Sequence, residues 1–155
     1  WLKGIFSSPM ERTQETAAPL AAALNIPITI RPGLIETDCG EWAGKTVKEL
    51  SRRKLWKQVQ QAPSQFRFPG GESFLDIQQR MAAEVEALRA EFADPKDLVL
   101  CFSHADPIKL VVTYYLGMPL DHFQRLIVNP TSMTGLMFEG ENVRLLMLNQ
   151  GLPET

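Results

Sequence analysis

The sequence predicts an α/β fold, a three-layer α/β/α sandwich with a mostly parallel sheet and a C-terminal antiparallel hairpin strand. Three observations carry this. Two apolar runs, Ile5-Phe6-Ser7-Ser8 and Leu98 to Phe102, each stop in polar residues and lead through a proline into a helical pattern. Strand-like runs alternate with helix-period stripes along the chain. Near the end, Thr131–Phe138 and Asn142–Leu148 flank Glu139-Gly140-Glu141, which signals a hairpin. No internal repeat, linker or low-complexity tract interrupts the pattern, so residues 1–155 read as a single domain.

Each element has its own warrant. Ser8, Pro9 and Glu11 form a Ser-x-x-Glu helix start with proline at the first helical position. That helix continues through Ala17, Leu20 and Leu24, with a weak point at Pro19, and ends at Asn25 and Pro27. Ile28 to Arg31 alternates as a strand. Leu34 to Gly44, Gly-punctuated and acidic, reads as a loop. Thr46 to Trp56 reads as one helix, and Gln60 to Gly71, with its prolines and glycines, as an irregular excursion. Ser73 caps an amphipathic helix whose stripe is Phe74, Ile77, Met81, Val85, Leu88 and Phe92, a core face. Leu98 to Phe102 fits a strand buried on both faces, Cys101 included. The helix after His104 carries Ile108, Val111, Val112 and Tyr115 and ends near Gly117; Phe123 to Val128 is a short helix or turn.

Composition narrows the function classes. The chain of 155 residues is 45% hydrophobic and 22% charged, ordinary for a globular domain with a core. A net charge of −2 argues against general nucleic-acid binding and against a polybasic membrane surface. No apolar run is long enough to span a bilayer, and no signal peptide is visible. Cys39 and Cys101, without metal-type spacing, point to a reducing cytoplasm and no disulfide framework. The sequence opens at Trp1, inside a structured-looking segment, which suggests further residues upstream.

Chemistry concentrates at the two strand-to-helix junctions. His104 follows a buried strand and precedes a helix, the place where open α/β sheets bind ligands and helix N–H groups favour anions. If the two strands are parallel neighbours, Arg12, one turn into its helix, folds back toward the same mouth, where a guanidinium can hold two phosphate oxygens. The plainer reading of Arg12 is a surface pair with Glu11 or Glu15. Phosphoryl transfer from an ester needs a proton for the leaving oxygen, and Glu36 opens the acidic loop that can supply it. Asp38, Glu41 and Asp106 qualify equally by spacing. No nucleotide-binding Gly-rich loop, HExxH or Cys/His cluster is present, and no G-x-S-x-G surrounds Ser7, Ser8 or Ser103.

Four stretches carry a resemblance. SSPMERTQETA (7–17), GEWAGKTVKEL (40–50), FPGGESF (68–74) and FSHADPIK (102–109) resemble, in order, four motifs of the histidine phosphatase superfamily, the phosphoglycerate mutase-like proteins. The tract LWKQVQQAPSQFRFPGGES is similar to bacterial members described as phosphomutases or broad phosphatases. The resemblance implies that Arg12 binds the transferring phosphoryl group and His104 hydrogen-bonds it and stabilises its charge. It implies that Glu36 is the proton donor that later activates water, and that Ser103 and the N–H of Ala105 lie beside the phosphate. The implied reaction has two steps, attack by a histidine and hydrolysis of the phosphohistidine, with a small-molecule phosphate ester as partner and no metal or organic cofactor.

Two departures from the pattern matter. The nucleophile of the family sits in an Arg-His-Gly motif after its first strand, and no Arg-His-Gly occurs here. The only other histidine, His122, is in the wrong context. The expectation is that the first strand and most of the first helix are missing from this chain, which would leave a sheet edge open. Ala105 stands where the family has glycine, which is disruptive only if φ there is positive. A phosphomonoesterase is expected ahead of a phosphomutase, because the 44–71 excursion is short for a mutase lid. A non-catalytic phosphate-binding domain and a structural interaction module, which predicts no anion pocket, are the rival classes. The substrate and the oligomeric state, homodimer included, stay open.

Overall fold

The computed structural model describes residues 2–151; the reading of Trp1 lies outside them. Three parallel strands form the central sheet in the order β2 (Ile28–Ile30), β1 (Leu2–Ser7), β3 (Leu98–Phe102). Ser7 is in register with Ile30 on one side and Phe102 on the other, so all three strands end at one level. Arg31 N donates to Ser7 O and Ser8 N to Phe102 O, both at 2.9 Å, which carries this alignment into the loops. Everything that leaves the sheet at that rim meets there.

The pleat of β1 separates the two helical layers. Ile5 packs against Ala17 and Ala21 of α1 (Glu11–Leu24), and its neighbour Phe6 faces the opposite core. That core contains Phe74, Ile77, Met81 and Leu88 of α4 (Phe74–Glu91) with Leu110 and Val111 of α5 (Ala105–Tyr115). Each fully buried side chain of this kind contributes roughly 1.5–3 kcal/mol relative to exposure. The expected stripe is therefore the core face, with Val85 and Phe92 partly buried at its margin. Ser73 starts α4 through a capping box: its hydroxyl accepts from Asp76 N at 3.1 Å, and Asp76 accepts from Ser73 N at 2.9 Å.

Three expectations need correction. The first helix begins at Glu11 with Met10 as its cap residue, because the Ser8 hydroxyl is engaged elsewhere; the helix is unbroken through Pro19. Thr46 to Trp56 is two helices, α2 (Val47–Leu50) and α3 (Lys54–Gln61), parted by a turn in which Ser51 donates to Lys48 O and Arg53 N to Leu50 O. Strand β3 is not buried on both faces: it is an edge strand, Leu98 is 39% exposed and Cys101 is exposed. The expected C-terminal hairpin does form: β4 (Met133–Glu139) and β5 (Asn142–Gln150) pair antiparallel, as a two-stranded sheet of their own among the described residues. It is held to the helices by Phe138, edge-on to Tyr115 at 5.1 Å and under the Arg89 guanidinium at 4.5 Å.

Two glycines bring the 38–42 and 68–72 loops together. A side chain at Gly40 would collide with Pro69 O, and one at Gly71 with Asp38 O. Their absence allows Glu41 N to bond Pro69 O at 2.8 Å and Glu72 N to bond Asp38 O at 3.0 Å. Those contacts fix the base of the loop that carries Glu36.

Candidate active site

Arg12, Glu36 and His104 meet at the carboxyl rim of the sheet. Arg12 Nη2 lies 2.9 Å from His104 Nδ1 and 3.3 Å from Glu36 Oε2, and His104 Nδ1 lies 3.5 Å from Glu36 Oε2. Three residues from three separate stretches, up to 92 positions apart, thus share one point. His104 is the cap residue of α5 and only 6% exposed, whereas Arg12 is exposed and Glu36 half-buried. The rival pairing of Arg12 with Glu11 or Glu15 does not form among the described residues.

The contacts settle the imidazole's tautomer. A guanidinium only donates, so Nδ1 of His104 accepts from Arg12 and carries no proton. The proton is then on Nε2, which donates to Ser8 Oγ at 2.8 Å. Ser8 also accepts from Met10 N at 3.2 Å, which is why its hydroxyl is not available to cap α1. Burial, then the charges of Arg12 and Arg80, push the His104 pKa down to about 4, in agreement with the neutral ring. Glu36 moves the other way. Burial lifts its carboxyl above the ordinary value against the opposing Thr37 N–H, and Asp106 adds to the rise.

Two further predicted site residues flank His104 in the chain. Ser103 donates its hydroxyl to Leu34 O at 2.8 Å, so it ties the strand end to the loop before Glu36 rather than facing the Arg12–His104 pair. Ala105 opens α5 without a positive φ, so the residue is compatible with the backbone where the family has glycine. Of the alternative acids, Asp106 is near enough to act on Glu36 but is paired with Lys109 at 2.9 Å. His122 lies in the 3-10 turn Leu120–Arg125 and has no hydrogen bond to the cluster.

Sequence reasoning missed a supporting clamp. Arg80 grips Glu72 with Nε at 2.9 Å and Nη2 at 3.0 Å, and its Nη1 donates to Gly33 O at 2.8 Å and Ile35 O at 2.9 Å. Glu72 in turn accepts from Asp38 N at 3.0 Å. The pair holds the chain on both sides of Glu36. Glu72 lies within the FPGGESF stretch, so a signal existed; Arg80, on the polar side of an amphipathic helix, gave none. The buried Thr37 Oγ1 is also unaccounted for, with no hydrogen-bond partner among the described residues.

The strand ends thus assemble a guanidinium, an imidazole and a carboxyl around one opening, at the rim where α/β sheets place ligands. A sequence model of the histidine phosphatase superfamily (branch 1) matches residues 2–151, and the chain belongs to that superfamily. It is 28% identical over 147 residues to phosphoserine phosphatase 1 of Hydrogenobacter thermophilus, covering 94% of this chain and 69% of that protein. It is 29% identical over 138 residues to a bifunctional protein of Mycobacterium tuberculosis, 86% of this chain but 36% of that one. The solved structure of YhfR from Bacillus stearothermophilus superimposes with a TM-score of 0.87 at 27% identity, over 96% of this chain and 74% of that one. Among the described residues no helix is long and apolar enough to cross a membrane.

Proposed function

We propose that this chain is the phosphate-binding body of a phosphomonoesterase acting on a small-molecule ester. The observation that carries this reading is the convergence of Arg12, Glu36 and His104 within 3.5 Å of one another. A phosphate entering there would take the Arg12 guanidinium for two of its oxygens and free Nδ1 of His104. The charge of the dianion favours the protonated imidazole, so His104 gains a proton there and its N–H donates a hydrogen bond to the phosphate. Glu36, whose carboxyl burial shifts toward the protonated form, gives a proton to the leaving oxygen as the P–O bond breaks.

In this reading the nucleophile is a histidine that residues 1–155 do not contain. His104 is committed to Arg12 and Ser8, and His122 is outside the cluster. Nitrogen attacks phosphorus, the alcohol leaves with the Glu36 proton, and water activated by the Glu36 carboxylate then cleaves the P–N bond. Hydrolysis is favoured over mutase chemistry by the short excursion and by the phosphoserine phosphatase named among the relatives.

Binding and turnover are separable tests. Titrating inorganic phosphate or vanadate into this chain is expected to show saturable binding, weakened at least about tenfold in Arg12→Ala; equal affinity in that variant would remove Arg12 from the site. In the protein with its Arg-His-Gly segment, Glu36→Gln is expected to slow alkyl phosphates more than aryl ones. Equal slowing of both would assign the acid elsewhere.

A further inference from the structure

Six of the sixteen cationic side chains fall between Lys45 and Lys57: Lys45, Lys48, Arg52, Arg53, Lys54 and Lys57. All six are exposed, and none forms an ion pair among the described residues. The rest of the chain shows the opposite habit. Of the other ten cations, only Lys96 and Arg125 lack an acidic partner within 4.0 Å among the described residues. The one acid in the segment, Glu49, accepts from the backbone N–H and the hydroxyl of Thr46, both at 2.7 Å, and is occupied in starting α2.

This arrangement opposes folding. Arg52, Arg53 and Lys54 are consecutive, and with Lys57 they crowd the first turn of α3, which has no acid and no side-chain cap. Cations there face the positive end of the helix dipole and one another. Arg52, Arg53, Lys54 and Lys57 line an open cavity of about 620 Å³ together with Trp56 and Gln60. Trp56 is backed by the buried Trp42, with ring centroids 6.4 Å apart and planes 28° from parallel, so it presents a supported aromatic face. The volume is within the usual range for small-ligand sites.

We infer that this cavity is a binding site for a compact polyanion, a small molecule carrying two or more phosphate groups, with Trp56 available to any planar part of it. Compactness follows from charge. The segment carries a net +5 and the rest of the chain −7, so a long polyanion would leave the patch for repulsive surface. The site shares no residue with Arg12, Glu36 and His104 and does not depend on the reading of those three.

The test titrates inorganic tripolyphosphate into this chain at low salt, followed by calorimetry and tryptophan fluorescence. The expected result is saturable binding at this site, weakened by added salt and still present in Arg12→Ala, with inorganic phosphate at least about tenfold weaker there. The variant R52Q/R53Q/K57Q, which touches exposed side chains only, should lose about tenfold or more in tripolyphosphate affinity with its near-ultraviolet dichroism unchanged. The control K96Q/R125Q and the separate variant Arg12→Ala should retain it. The inference is overturned if no saturation is seen, if K96Q/R125Q weakens binding equally, or if Arg12→Ala abolishes it. Tighter binding of single-stranded RNA or phosphatidylserine vesicles than of tripolyphosphate would also overturn it, in favour of a macromolecular partner.

Discussion

His104 is the residue whose ionisation folding alters most clearly at the site. A free histidine titrates near 6.5, and in the fold its pKa is about 4. Between those values the unfolded chain binds more protons than the native one, so this residue makes stability rise with pH. Its contribution is complete above pH 6.5 and is lost as pH falls toward 4, about 3 kcal/mol in all. Glu36 works in the reverse sense: its raised pKa gives stability present below the ordinary carboxylate range and lost as pH rises through the folded value. Urea midpoints measured from pH 4 to 8 should therefore climb less steeply in His104→Gln than in the parent chain; parallel curves would contradict the shift. The same residue shows why the sequence is only partly legible at this scale. Ser8 satisfies every local rule for a helix cap, yet its hydroxyl serves His104, a partner 96 positions away that no local pattern reveals.

At the scale of elements, α4 was readable because one face does one thing: its apolar stripe enters the core, and its capping box lies within four residues. The α2–α3 region was not. Its apolar residues fit a single helix by period, and the break at Ser51–Arg53 comes from turn hydrogen bonds and a cluster of like charges that periodicity does not weigh. The Arg80–Glu72 clamp also belongs to this scale, since it joins α4 to the loop after β2 and carries Glu36 between its contacts. Arg80→Ala leaves Glu72 without its partner and two carbonyls without donors, at a cost of roughly 2–3 kcal/mol. Thermal unfolding reports that loss. Because Arg80 positions Glu36 rather than touching phosphate, phosphate affinity of the folded variant should fall far less than in Arg12→Ala, and comparable falls would make Arg80 a direct ligand.

Taken whole, the molecule is a parallel sheet that gathers three distant segments at one rim, and the motif order 7–17, 40–50, 68–74, 102–109 announced that gathering before any coordinates. What the motifs could not announce was the state of the sheet's far side. The apolar run Leu98-Val99-Leu100-Cys101-Phe102 reads as interior strand, but its outer edge pairs with no strand among the described residues. Backbone donors and acceptors along such an edge recruit any extended chain of matching length. A solution of this chain alone is thus expected to self-associate through strand β3 as concentration rises, with elution in gel filtration shifting toward larger species and thioflavin fluorescence growing on storage. A charged residue at Cys101, as in Cys101→Lys, should suppress both, and an unchanged profile in that variant would place the contact elsewhere. The exposed thiol adds a handle: a bulky maleimide attached there would act as a doorstop against a second strand, and a chain so labelled should stay monomeric.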